Sequence, residues 1–184
     1  MINNVTYSCL IFISLSCTRN DHIRSYQLTK INKAKITAQE QFHKDKSAEL
    51  IWEKPDSWMP SEGSSMRLAS FSIPYSVGAG DLSVIKLGGT GGGIESNVNR
   101  WRRQLDLESL SLVQIEKNII VGEGMLGTYN ILQIINKKID SAFLCAIIPI
   151  ENYTIFVKLS LKPVGITEIE DDFITFCSSL TIPN

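Results

Sequence analysis

Histidine is the scarcest functional residue in this chain. Only His22 and His43 occur, so everything after residue 43 lacks the usual general base and the commonest metal ligand. Cysteine is limited to Cys9, Cys17, Cys145 and Cys177. No Ser/His/Asp, Cys/His or metal-ligand set can be assembled from these residues, which excludes the familiar nucleophilic and metal-assisted hydrolases. Charge of one sign is also missing. The formal net charge is −1, with seven Lys/Arg against four Asp/Glu from Thr18 to Leu50 and eleven against fifteen beyond it. Neither imbalance supports a nucleic-acid partner. Nowhere is there the run of about 20 apolar residues that a membrane-spanning helix needs.

What is present begins with a short apolar segment. Val5 to Ser16 is apolar or small, strongest at Cys9-Leu10-Ile11-Phe12-Ile13, and turns polar at Thr18-Arg19-Asn20-Asp21. That length suits the apolar region of an export signal. Ser14-Leu15-Ser16-Cys17 resembles the end of a bacterial lipoprotein signal, in which the cysteine becomes the acylated N-terminus. A non-lipidated secretory signal, or a plain apolar N-terminus, would read the same way over Cys9–Ile13. The resemblance implies residues 1–17 as signal segment, Cys17 as lipid attachment, and a membrane-anchored, exported place in the bacterial cell envelope. Several acyl chains give lasting attachment where one anchors only marginally.

Residues 18–49 are polar, free of Gly and Pro, and carry only isolated apolar positions. They read as a tether, with a thin helical pattern over Ala34–Lys46. A single α+β domain is expected over residues 50–184. Its strands are expected at Trp52, Met66–Ile73 (ended by Pro74), Leu82–Leu87, Met125–Asn136, Ser141–Ile150 and Tyr153–Leu161, from alternation and β-branched content. Val77–Asp81 and Gly122-Glu123-Gly124 are expected as turns. The nearly all-apolar Ser141–Ile150 run predicts a central strand buried on both faces. Ser111 is an N-cap candidate for a helix over Leu112–Asn118. Thr167-Glu168-Ile169-Glu170 carries a capping-box pattern, predicting a last helix with Ile169, Phe173, Phe176, Cys177 and Leu180 on its buried face. Glu168, Glu170, Asp171 and Asp172 then act as first-turn charges and not as a metal site. Trp52, Pro55 and Trp58 suggest an aromatic clamp in the core. Cys145 and Cys177 read as free, buried thiols, because a disulfide needs a geometry that sequence does not supply.

The most distinctive stretch is Leu87–Leu105, where five glycines in six positions lead into a helix. Ile94, Val98, Trp101 and Leu105 make one apolar stripe. Gly91, Gly92 and Gly93 form a possible anion loop, because first-turn amides lack partners and the helix dipole is positive there. The Gly-Lys-Ser/Thr ending of a phosphate loop is missing, and Glu95 opposes an anion. A flexible connector is the preferred reading. On the polar side, Asn97, Asn99, Arg100 and Arg103 form a candidate binding surface.

Trp52…Pro55…Trp58, Ser64-Ser65-Met66-Arg67-Leu68-Ala69-Ser70-Phe71 and Asn97-Val98-Asn99-Arg100-Trp101-Arg102 resemble a family of exported bacterial proteins, often lipoproteins, over Leu50–Ile182. The element order resembles the Mog1/PsbP-like fold, which implies an antiparallel sheet flanked by helices in an α/β/α sandwich. It also implies a binding or assembly module; the chain is accordingly expected to be non-catalytic and to bind another envelope protein or a small ligand, with no cofactor or metal. The alternative is a nucleotide- or anion-binding protein or enzyme using the Gly88–Gly93 loop.

Overall fold

The computed structural model describes residues 50–183, so Cys17, the signal segment and the tether with its expected helix lie outside the described residues. Seven strands are formed: β1 (Met59–Pro60), β2 (Arg67–Tyr75), β3 (Gly78–Gly88), β4 (Ile120–Gly124), β5 (Gly127–Asn136), β6 (Ser141–Ile150) and β7 (Tyr153–Leu161). Three helices join them: α1 (Ile94–Gln104) and α2 (Leu112–Glu116) between β3 and β4, and α3 (Pro163–Ser179) after β7. The strands make one sheet in the order β1-β2-β3-β7-β6-β5-β4, antiparallel at every pairing. The chain thus has the expected α+β class, with helices against both faces of an antiparallel sheet.

Strand alternation builds two cores from one sheet. Along β6, Ala142, Leu144, Ala146 and Ile148 pack towards α3, while Phe143, Cys145 and Ile147 pack towards α1 and α2. The continuous apolar run therefore marks the two-sided strand, as its composition predicts. The α3 side is the larger core and includes Phe173, Phe176, Ile169 and Leu180. At its rim Trp52, Trp58, Phe71 and Phe176 meet with ring centroids 5.3 to 6.4 Å apart. This is the aromatic clamp, and it is core. The α1 side is smaller, with Val98, Trp101, Leu105 and Ile115 on Leu132, Ile134, Phe143 and Phe156.

Several boundaries differ from the sequence expectation. Trp52 lies outside any strand; its neighbour Ile51 makes an isolated bridge to Thr181. Pro74 does not end β2 but sits within it, opposite Ala79. Tyr75 and Gly78 close a two-residue turn, so the N–H that proline lacks faces away from β3, beyond the two residues that β1 pairs. Gly78–Asp81 is consequently strand and not turn. Gly122 and Gly124 are also in a strand, β4, and the turn falls at Met125-Leu126. A Cβ on Gly122 would lie 2.5 Å from the Tyr129 ring, and one on Gly124 would lie 2.7 Å from the Ser178 backbone. Those glycines are required by close approach. Finally, α3 begins at Pro163 in the first helical position, where its fixed φ suits the helix, so Thr167–Glu170 lies inside it. Among the described residues no helix is long and apolar enough to cross a membrane.

Candidate functional site: a basic cleft beside α1

The glycine stretch is pinned rather than slack. Gly89, Gly91, Gly92 and Gly93 all have positive φ, which side-chain-bearing residues rarely adopt. A Cβ on Gly91 would also lie 2.5 Å from the Phe156 ring. The amides of Gly91 and Gly93 donate to the carbonyls of Gly88 (3.2 Å) and Thr90 (3.1 Å), and Gly89 donates to Asn152 (2.9 Å). A phosphate cradle needs free amides converging on one hollow. Those of Gly91 and Gly93 are already committed within the loop.

Asn97 explains the rest of the loop. Its side chain is buried, not on the exposed side of α1. Nδ2 donates to the carbonyls of Gly91 (2.8 Å) and Gly93 (2.7 Å), while Oδ1 accepts from Arg100 Nη2 (2.7 Å). Asn99 does similar work on the following loop: it donates to the Leu110 carbonyl and accepts from the Leu110 amide, both at 2.8 Å. Two members of the expected surface therefore fasten backbone. Arg100 and Arg103 are exposed on α1, and only Arg100 borders a cleft.

That cleft, about 290 Å³ in volume, lies where α1 leaves the β2–β3–β7 part of the sheet uncovered. Ile85, Leu87 and Phe156 give it an apolar floor, and Trp101 and Gln104 of α1 form one wall. Arg67, Arg100 and Lys158 line it, and none of its described lining residues is a carboxylate. Arg67 is held from the rim by Asp81 in a two-pronged ion pair at 2.9 Å. Lys158 rises from β7 on the same face as Phe156 and Ser160. Its ammonium stacks 4.2 Å above the Phe143 ring and donates to Gln104 Oε1 at 3.0 Å. Partial burial, the largest cause, and the nearby Arg67 and Arg100 push the Lys158 ammonium below the usual lysine range. A second hollow of about 470 Å³ lies on the other flank of α1. Its one cation, Arg102, is tied by Nε to the Glu108 carbonyl (2.7 Å).

The sequence reading missed Lys158, Arg67, Ser83 and Gln104 as cleft residues. A signal existed for Lys158, a charged residue on an inward-facing position of Tyr153–Leu161. Nothing local marks Ser83 or Gln104, because only the antiparallel pairing of β3 with β7 brings these elements beside each other.

Other reactive groups are unpromising. Cys145 and Cys177 are free and buried, and desolvation raises both thiols well above their usual range, keeping them protonated and poorly nucleophilic. Among the described residues no three His, Cys, Asp or Glu side chains converge as a metal site.

No family model matches the sequence, and no curated protein is similar to it. Solved structures show a remote likeness, three of them as follows. One is a protein from Bacteroides thetaiotaomicron VPI-5482, at 11% identity and TM-score 0.47, covering 74% of this chain and 46% of that one. The chain thus spans about half the length of the Bacteroides protein. The second is the cyanobacterial PsbP protein of Synechocystis sp. PCC 6803, at 14% identity and TM-score 0.47, covering 74% and 94%. The third is LpqN of Mycobacterium tuberculosis, described as involved in cell envelope biogenesis, at 10% identity and TM-score 0.43, covering 73% and 83%.

Proposed function

We propose that this chain is an exported, membrane-tethered binding or assembly module of the bacterial cell envelope. Cys17 carries its lipid anchor, and the cleft beside α1 is its binding site. The observation that carries the reading is the cleft itself, a concave, apolar-floored site rimmed by polar and basic groups. Among the described residues its lining offers no carboxylate or histidine to act as a general base, and the thiols of Cys145 and Cys177 are buried elsewhere. The site is therefore equipped to hold a ligand and not to transform it. A partner protein of the envelope would reach it across the exposed face of α1, past Arg100 and Arg103.

The anchor and the cleft fail separately. In cell fractionation, Cys17→Ser is expected to leave the membrane fraction and keep its unprocessed mass; a variant that stays membrane-bound and is processed as before would sink the anchor. Crosslinking from intact envelopes, followed by mass spectrometry, is expected to place crosslinks on residues bordering the cleft. Crosslinks confined to the α3 face would move the binding site off the cleft.

A further inference from the structure

We propose that the cleft beside α1 binds a small amphiphilic acid, with one anionic head held by Lys158 and Arg100 and an apolar body on Ile85, Leu87 and Phe156. This rests on the reading of the cleft as the binding site and adds its ligand class.

The charge pattern is the first support. Three cations line the concavity, none of its described lining residues is a carboxylate, and nearby Asp81 is committed to Arg67 at the rim. Gathering like charges at a partly dehydrated spot is unfavourable, and an anion placed among them relieves it. Among the described residues, Lys158 and Arg100 have as hydrogen-bond acceptors the neutral oxygens of Gln104 and Asn97. Each keeps further N–H groups for a ligand, since an ammonium has three and a guanidinium five. The head is charge-assisted on both sides, which is the strong form of hydrogen bond.

The floor is the second support. Inorganic phosphate or sulfate has no use for Ile85, Leu87, Phe156 and the Trp101 wall, whereas an acyl or aryl body buries apolar surface there. The volume of about 290 Å³ sits at the small end of ligand sites and suits a short body over a lipid with two chains.

Lys158 also shows the stability pattern of a ligand-directed residue. Its folded-state value lies below its unfolded one, so its charged form opposes folding at neutral pH and the deficit disappears only as pH rises towards the ordinary lysine range. Without ligand, Lys158→Met is accordingly expected to melt no lower than the unaltered chain.

Isothermal titration of the full chain with decanoate, decanol and inorganic phosphate tests the proposal. Decanoate is expected to bind, with decanol and phosphate each weaker by about ten- to a hundredfold. Lys158→Met should weaken decanoate by a similar factor while remaining folded, and Lys158→Arg should recover part of it. Lys137→Met, in the β5–β6 turn, should change nothing. No binding of decanoate, equal binding of decanol, equal binding of phosphate, or equal losses in Lys158→Met and Lys137→Met would each overturn the anionic-amphiphile assignment. Ile85→Trp, which fills the floor, separates the two levels. If decanoate and decanol bind alike and Ile85→Trp abolishes both, the cleft stands as binding site and the acid is wrong. If Ile85→Trp melts normally and leaves binding untouched, the cleft itself is wrong.

Discussion

Asn97 shows how one side chain can decide what a whole segment is. The glycines before it have positive φ at Gly91, Gly92 and Gly93, and such backbone persists only where something holds it. Asn97 holds it with two donated bonds to Gly91 and Gly93, and its oxygen then orients Arg100 towards the cleft. Asn97→Ala would leave the Gly91 carbonyl and a guanidinium N–H without this partner, while Gly93 O keeps the backbone N–H of residue 97, at a cost of about 1–3 kcal/mol. Asn97→Asp should cost more, because a carboxylate would face the two carbonyls where a donor now stands. Urea unfolding of both variants checks the order, and an Asp variant as stable as the Ala variant would refute the role given to Nδ2. The same residue explains a limit of sequence reading. Asn97 lies on the flank of the apolar stripe, three residues after Ile94 and four before Trp101, so its polar type suggests exposure where its spacing allows burial; the glycine loop it bonds settles the matter.

At the scale of elements, legibility followed the locality of the forces involved. Ser141–Ile150 and Tyr153–Leu161 were readable to the residue because alternation, β-branching and the Glu151-Asn152 turn all act within a hairpin. The apolar stripe of α1 was readable for the same reason, and Val98, Trp101 and Leu105 are all buried. Gly122 and Gly124 misled because a glycine needed for close approach looks identical in sequence to one needed for a turn. What demands them is Tyr129 from the next strand and Ser178 from the far end of the chain. The cleft was illegible for a related reason: its basic groups come from β2, α1 and β7. Helix α1 also ends in a way that carries a prediction. Leu107 N donates to Arg102 O (2.9 Å) and Asp106 N to Arg103 O (3.1 Å), the paired bonds of a Schellman cap, with Asp106 at φ 52° in the position glycine prefers. Asp106→Gly is expected to raise stability by about 0.5–1 kcal/mol through relief of that conformation. Thermal melting measures it, and a lower melting temperature would mean that the Asp106 side chain supplies an unrecognised contact.

For the described domain, one sheet is divided into two unequal cores. The face towards α3 is closed by the long helix and by the four aromatic rings at its rim, and truncating Phe176 there would cost about 3–5 kcal/mol. The face towards α1 is covered by two shorter helices, which leave β2 and β3 open and so make the cleft. A ligand site placed on the lightly covered face can carry unpaired cations without opening the larger core. Besides the apolar core they share, α3 is tied to the β2–β3 hairpin by polar bonds: Glu168 accepts from the amide of Ser76 (2.9 Å) and from its hydroxyl. Those two bonds, the hydroxyl first, hold the Glu168 carboxyl below its ordinary value of 4.5. A depressed folded-state value means that the contact supports the fold above pH 4.5 and that its support is lost as pH falls through the lower, folded-state value. Acid titration of the melting temperature at low salt is therefore expected to fall less steeply for Glu168→Gln than for the unaltered chain, with Ser76→Ala in between because its amide still donates. The difference should shrink in high salt, because the carboxylate is exposed and screened. Three superimposable acid profiles would show that the hairpin and α3 are joined by apolar packing alone.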